Sequence, residues 1–308
     1  MRNMNAIGLG KRRVRFYLVI LALIIVVSLT RWLGEMTEPT TALWIVNAPS
    51  WFRLRDSSLG HLHSVVDNPV KMQAFQQLVD KGMQTLSDSV DGENVDAIEH
   101  FFWGMTNGVA MELGALDGSR KTRSMTLDLE EYASWKRILI EGNPKYRHLL
   151  LVNSPNALSI SAAICEKQHK VHFVDEEFTG GIVEFMQADF IKKFHHALYS
   201  AYNPPGDMLS MNWSSFNHVT EVDCLPLSMI FQEIAIEHVN LFILDVEGGE
   251  FRVLQSIPWS KLSFDVLCVE VDPSLRPDGY ANQITQYLAE KGYVPATGLV
   301  GRNICKCQ

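Results

Sequence analysis

From Gly108 onward, short apolar runs alternate with stretches of helical periodicity, and this alternation limits the possible folds more than any other feature of the chain. The runs are VAMEL (109–113), WKRILIE (135–141), ALSISAAIC (157–165), LFILDV (241–246) and FDVLCVEV (264–271). Helical candidates lie at about 124–133, 144–152, 189–199, 227–237 and 249–256. Strands separated by helices predict βαβ units and a parallel sheet. A run as continuously apolar as Leu241–Leu244 suits a strand covered on both faces. The tail adds a helix near 280–290 and two short strand candidates, GYVPAT and RNICKC. With 308 residues, 47% of them hydrophobic, the chain can build one sizeable domain with appendages.

Four of the apolar runs carry acid at or near their C-terminal ends: Glu112, Glu141, then Asp245 and Glu247, then Glu270 and Asp272. Burying carboxylates beside such runs is costly unless something uses them. In open α/β sheets, ligands bind at the carboxyl ends of the strands, where the strand order switches. The spacing therefore predicts one site that gathers these acids. Any one of them alone has a structural reading as a helix cap or a solvated group. Glu250 is such a case, an acid in the first turn of a helix behind Gly248 and Gly249.

The first run leads into ELGALDG (112–118), where Gly114 and Gly118 permit tight turning and close backbone approach to a ligand. It is neither the G-x-x-x-x-G-K-[ST] of a P-loop nor G-x-G-x-x-G, because Leu116 and Ser119 occupy the wrong positions. Glu141 follows 27 residues after Gly114, at the end of the second run. An acid there can accept both hydroxyls of a ribose, a role shared by nicotinamide and adenosyl ligands.

The stretches GVAMELGALDG, WKRILIEGNP, SAAIC and LFILDVEGGEFRVL…VLCVEVD resemble the FkbM-type methyltransferases, which use S-adenosylmethionine. The resemblance covers roughly residues 105–308. It implies an α/β fold of the class I methyltransferase (Rossmann-like) type, a seven-stranded sheet ending in an antiparallel hairpin. It implies that Glu112, Gly114, Ala115, Asp117 and Gly118 surround the methionine part of the cofactor, that Glu141 holds the ribose, and that Ser161 and Ala162 border the adenine. The chain departs from the family where Ser124-Met125-Thr126 follows a basic stretch of Arg120, Lys121 and Arg123. Asp245 and Glu247 are the candidates for chemistry. Glu247 would be the base that accepts a hydroxyl proton, or a ligand to a divalent metal that orients a sugar diol, with Asp245 positioning it.

The N-terminus follows a different logic. KRRVR precedes FYLVILALIIVVSL, 14 uncharged residues from Phe16 to Leu29. A spanning helix wants about 20 apolar residues, and a signal peptide has an apolar core of roughly 7–15. The stretch lengthens to Val14–Leu33 if Arg15 and Arg31 snorkel. No small-x-small cleavage site follows closely, Thr40-Thr41-Ala42 being the best. An uncleaved signal-anchor, a cleaved signal and a buried helix all fit, and the anchor fits best. Basic residues ahead of the span would keep residues 1–15 cytosolic, with the span at 16–33 and the rest in the lumen of the endoplasmic reticulum or Golgi. Residues 34–66 show no periodic element and read as a stem. Residues 67–107 read as a helical extension opening at Asp67-Asn68-Pro69, and 108–308 as the methyltransferase domain.

Charge and cysteines narrow the function further. Six of the 27 Lys/Arg fall in the first 33 residues, which hold no acid, so the remainder sets 21 basic against 35 acidic residues. That balance excludes nucleic acid as a partner, since phosphate binding needs clustered basic charge. Cys165, Cys224 and Cys268 sit in apolar runs and read as buried thiols; Cys305 and Cys307 read as strand residues or a pairing site. Asn212-Trp213-Ser214 is an N-glycosylation sequon. His195, His196 and His218 read as structural in preference to catalytic, and Phe101-Phe102-Trp103 as core. Three functions remain in view: a membrane-anchored O-methyltransferase acting on a glycan or other hydroxyl compound, a non-catalytic binding or trafficking factor on the same fold, and a nicotinamide oxidoreductase, disfavoured by the missing G-x-G-x-x-G.

Overall fold

A computed structural model describes residues 44–47, 73, 76, 97–202, 211–271, 276–296 and 303–307. The segments read from the sequence as a cytosolic tail, a signal-anchor and most of a stem and a helical extension lie outside the described residues, as does Asp272. Among the described residues no helix is long and apolar enough to cross a membrane.

In chain order the elements are β1 (Trp44–Asn47), β2 (Val109–Leu113), α1 (Leu127–Ala133), β3 (Lys136–Glu141), α2 (Arg147–Asn153), β4 (Leu158–Ser161), β5 (Ala163–Ile164), β6 (His169–Val174) and β7 (Gly181–Ile182). They continue through α3 (Ala188–Phe194), α4 (His196–Tyr202), β8 (Val219–Leu225), α5 (Leu227–Ile234), β9 (His238–Leu244), α6 (Glu250–Ser256), β10 (Ser263–Glu270), α7 (Tyr280–Glu290), β11 (Val294–Pro295) and β12 (Asn303–Cys307).

The main sheet has the order β1-β4-β3-β2-β9-β10-β12-β11. Its five central strands, β4 to β10, are mutually parallel. The tail closes it with antiparallel β12 and β11. Seven strands thus match the expected α/β sheet with its terminal hairpin and fit a Rossmann-like methyltransferase. The eighth is a difference: residues 44–47, read as stem, form β1 antiparallel to β4 at the opposite edge. The chain moves outward from β2 through β3 to β4, then returns to the other side of β2 as β9. Order therefore switches between β2 and β9, the place where such sheets bind ligands.

Strand composition explains the layering. All five residues of β2 are buried, as are six of the seven in β9, so both strands are covered on both faces. One face packs Phe242, Phe264, Leu267, Ile230 and Leu254 into the largest apolar cluster. The other packs Ala110, Leu241 and Ile243 against Trp135, Phe102 and Leu129. Phe102 meets Trp135 edge-on at 5.1 Å, which places it in the core as expected, whereas Trp103 is exposed.

A second sheet, β5-β8-β6-β7, has no counterpart in the sequence reading. The run 157–165 spans two sheets, because β4 ends at Ser161 and β5 begins at Ala163. Cys165 and Cys224 are joined by a disulfide, which corrects their reading as free thiols. Cys224 on β8 pairs in register with Ala163 of β5, and Cys165 follows β5 directly, so the bridge ties β8 to the segment that continues from β4. Cys268 is buried, as expected. The single helix expected at 189–199 breaks at His195 into α3 and α4.

Candidate active site

A cavity of about 610 Å³ opens above the carboxyl ends of β2, β3, β9 and β10, at the switch in strand order. Its main-sheet side carries Glu112, Gly114, Glu141, Asp245, Glu247 and Glu270. Its opposite side is built largely by the second sheet, from Ala163, Ile164, Phe173, Phe178, Gly181 and Ile182. Acids far apart in sequence are thus gathered in one place.

Gly114 makes the floor possible. Its φ is +94°, and a Cβ there would lie 1.9 Å from the carbonyl oxygen of Asp245. The loops after β2 and β9 therefore touch backbone to backbone, helped by the Asp245 N–H donating to Leu113 O at 3.1 Å. Glu112, 1% exposed, serves the next segment. Its carboxylate accepts from Ser124 Oγ (2.7 Å), Met125 N (3.0 Å), Thr126 N (3.3 Å) and Thr126 Oγ1 (2.6 Å). The Ser-Met-Thr departure from the family pattern thus gives Glu112 its donors. Arg137, buried on β3 and missed by the sequence reading, backs this loop. It pairs with Glu130 and donates to Gly118 O and Ser124 Oγ. An arginine inside an apolar run was the available signal.

Glu141 is 3% exposed at the end of β3. Its Oε1 accepts from Asn143 N at 2.6 Å and its Oε2 from Leu116 N at 2.8 Å. A carboxylate has acceptor sites beyond these backbone partners, and the residue lines the cavity. Burial pushes its pKa up to about 7, against the pull of those backbone donors.

Asp245, Glu247 and Glu270 each bring a carboxylate oxygen within 4.8 Å of the others. Neither Asp245 nor Glu247 lies on a strand, since β9 ends at Leu244, two residues short of the apolar run 241–246. A turn brings them together instead, with Glu247 at φ +56°. A left-handed backbone at a non-glycine residue costs energy and is often tied to function. Gly248, at φ +117°, packs where a Cβ would sit 2.6 Å from Phe185 O. Burial, the Asp245 charge and the Glu250 charge push Glu270 up to about 9, so it holds a proton at neutral pH.

Arg276 closes the cluster from below. Its Nη2 lies 3.1 Å from Glu250 Oε1, 3.1 Å from Glu270 Oε2 and 3.8 Å from Glu247 Oε2. Glu250 is fully buried and also accepts from Gly248 N (2.9 Å) and Tyr280 OH (2.8 Å). It is the structural acid its helix position predicts.

The remaining expected residues divide. Ala162 lines the cavity, whereas Ala115, Asp117, Gly118 and Ser161 are not among its lining residues. Ala115 packs with Leu139, Leu150 and Ala157 behind the loop. Asp117 braces the loop by accepting from Ser119 N at 2.9 Å and from Thr122 Oγ1. Ser161 pairs in register with Glu141. His195, His196 and His218 also lie off the lining, and His195 Nε2 donates to Thr179 O at 2.9 Å.

The cavity offers a glycine turn at Gly114, a buried carboxylate at Glu141 and a cluster of three further carboxylates, and these residues fit the polar, cationic character of S-adenosylmethionine. A family model of the FkbM methyltransferase domain matches residues 112–295. No curated protein matches the chain.

Proposed function

We propose, from the premise that this chain belongs to the FkbM methyltransferase family, that it is an S-adenosylmethionine-dependent O-methyltransferase acting on a glycan or other polyhydroxyl compound. The observation that carries the reading is the carboxylate cluster of Asp245, Glu247 and Glu270 in the same cavity as Glu141. The cofactor supplies an electrophilic methyl group on a positively charged sulfur. Glu141 accepts hydrogen bonds from its ribose hydroxyls. Phe173, Ile164 and Ile182 offer apolar surface to its base. The acidic floor favours the positive charge.

A hydroxyl acceptor must lose its proton as its oxygen is methylated. Glu270, protonated and next to Asp245, is the wrong group to take it. Glu247, held in a left-handed turn beside Arg276, is the base. Asp245, with a carboxylate oxygen within 4.8 Å of Glu247, positions that base. The same three oxygens could hold a divalent cation that binds a sugar diol, which chelation tests separately. The polar floor suits a hydroxyl-rich acceptor over an apolar one.

For location, we favour a single-pass membrane protein of the endoplasmic reticulum or Golgi with a lumenal domain. The buried Cys165–Cys224 disulfide and the basic-then-apolar N-terminus support it. The test is calorimetry of the purified chain with S-adenosylmethionine, followed by transfer to candidate glycans. Tight binding without transfer to any acceptor would leave the acceptor assignment unsupported. No binding would favour the non-catalytic factor.

A further inference from the structure

We propose that Asn212 carries an N-linked glycan, which makes this domain itself a modified glycoprotein; the inference rests on the lumenal placement above. Asn212-Trp213-Ser214 is the one Asn-x-Ser/Thr triplet in the 308 residues whose middle residue is not proline. The structure decides whether it is usable. Asn212 and Ser214 are both exposed, whereas Trp213 between them is 1% exposed. The indole inserts among Val174, Phe190, Leu198 and Val219. It anchors the triplet with the acceptor residue outward.

The local backbone keeps the acceptor available. Trp213–Ser215 form a single helical turn, and the Asn212 side chain does not cap it. The turn is held by the Asn212 carbonyl instead, which accepts from Ser215 N (3.1 Å) and Ser215 Oγ (2.8 Å). The carboxamide is thus not used to build the turn. Asn212 lies off the lining of the cavity, so a glycan there leaves the acidic site open.

A second observation sets the compartment. Cys165 and Cys224 are fully buried and disulfide-bonded. Such a bridge forms and persists in oxidising compartments, where oligosaccharide transfer also takes place. In that transfer the donor is a polyprenyl-pyrophosphate-linked oligosaccharide. A bond forms between Asn212 Nδ2 and the anomeric carbon, the anomeric C–O bond breaks, the pyrophosphate leaves with its electron pair, and the amide proton passes to the transferase.

The test expresses the full chain in cultured animal cells and treats it with peptide N-glycosidase. Asn212→Gln and Ser214→Ala are run beside it; both keep the Trp213 anchor. Protease protection of intact microsomes reports the domain's side of the membrane independently. A glycosidase-sensitive mass on the wild type, absent from both variants, is expected. A protected domain with unmodified Asn212 overturns the glycan and leaves the lumenal reading standing. A digested domain with unmodified Asn212 overturns both. A glycosidase shift that survives in both variants overturns the assignment to Asn212.

Discussion

On the main-sheet side, the cavity is bounded by carboxylates at strand ends, and several carry named partners: four donors on Glu112, two backbone donors on Glu141, Arg276 under Glu270 and Glu247. On the second-sheet side it is bounded by Ala163, Ile164, Phe173, Phe178 and Ile182, with few polar ties to the floor. Asn143 Nδ2 donates to Asp175 Oδ1 at 2.9 Å, and the Cys165–Cys224 bridge holds the wall's base. The difference teaches a division of labour. The floor's groups are fixed by the parallel sheet and supply charge and chemistry. The wall supplies apolar surface and shape. Variants of the Asp245–Glu247–Glu270 cluster should change turnover, variants of the ribose-facing Glu141 and of the wall should change binding, and loop variants such as those at Gly114 should change folding.

The sharpest test of that division is Glu247→Gln. The change is nearly isosteric and removes the base, so turnover should fall roughly 10²–10⁴-fold, the usual contribution of a positioned base. Affinity for S-adenosylmethionine, read by calorimetry, should hold. Normal turnover would end the assignment of Glu247. If chelator abolishes wild-type activity, the carboxylates serve a cation.

Next in size is Gly114→Ala. The added Cβ collides with Asp245 O, and the left-handed φ is strained for alanine, so the cost is roughly 2–5 kcal/mol of stability. Gly292→Ala is the matched control, at φ +93° with no atom within 4 Å of the new Cβ. It should lose only about 1–2 kcal/mol. Urea unfolding of both separates backbone strain from the contact between the two site loops. Equal losses would mean that the close approach is unimportant.

The wall is broken by replacing Cys165 and Cys224 together with alanine. Cysteines 59 apart in sequence make a bridge worth roughly 2–4 kcal/mol. If the domain remains folded, KM for acceptor or cofactor should rise more than kcat falls, because Ala163 and Ile164 line the cavity while the floor acids are untouched. A loss confined to kcat would contradict the division.

The same comparison explains what the sequence could and could not disclose. The parallel strands were legible because burial on both faces forces continuous apolar runs, as in Leu241–Leu244, and the acids that interrupt them stand out. The second sheet was not. β6 reads HKVHFV and β8 reads VTEVDCL, with polar and apolar residues mixed along half-solvated strands, and neither resembles the runs of the main sheet. The wall residues Phe173, Phe178 and Gly181 carry no chemical signature and were missed with it. Asp245 and Glu247 stand out because they follow a buried run, but no pattern announces where β9 stops and a left-handed turn begins. Asp117 enters only through the family resemblance, which implies that it borders the methionine part of the cofactor. Its carboxylate faces back into its own loop, an orientation set by Ser119 and Thr122.

The smallest effect concerns pH and separates the two roles of Glu141. Its pKa sits at about 7 in the folded protein, raised from 4.5 mainly by burial. A raised carboxylate binds a proton in the folded state that the unfolded chain releases, so its contribution to stability is present below about 4.5 and is lost as pH rises through 7. Glu270 adds the same trend up to about 9. The protein without cofactor should therefore lose stability between pH 5 and pH 9. Cofactor binding should move the opposite way. Ribose hydroxyls need the ionised carboxylate as acceptor, so the Kd for S-adenosylmethionine should fall about tenfold from pH 6 to pH 8. Glu141→Gln keeps the shape, loses the charge-assisted acceptor, and should bind more weakly with a flat pH profile across that window. Arg276, beneath the other acids, does not contact Glu141, so Glu270 still titrates in the variant and its share of the stability trend remains. A wild-type Kd that is constant from pH 6 to pH 8 would remove Glu141 from the ribose site, and with it the strongest tie between the parallel sheet and the cofactor.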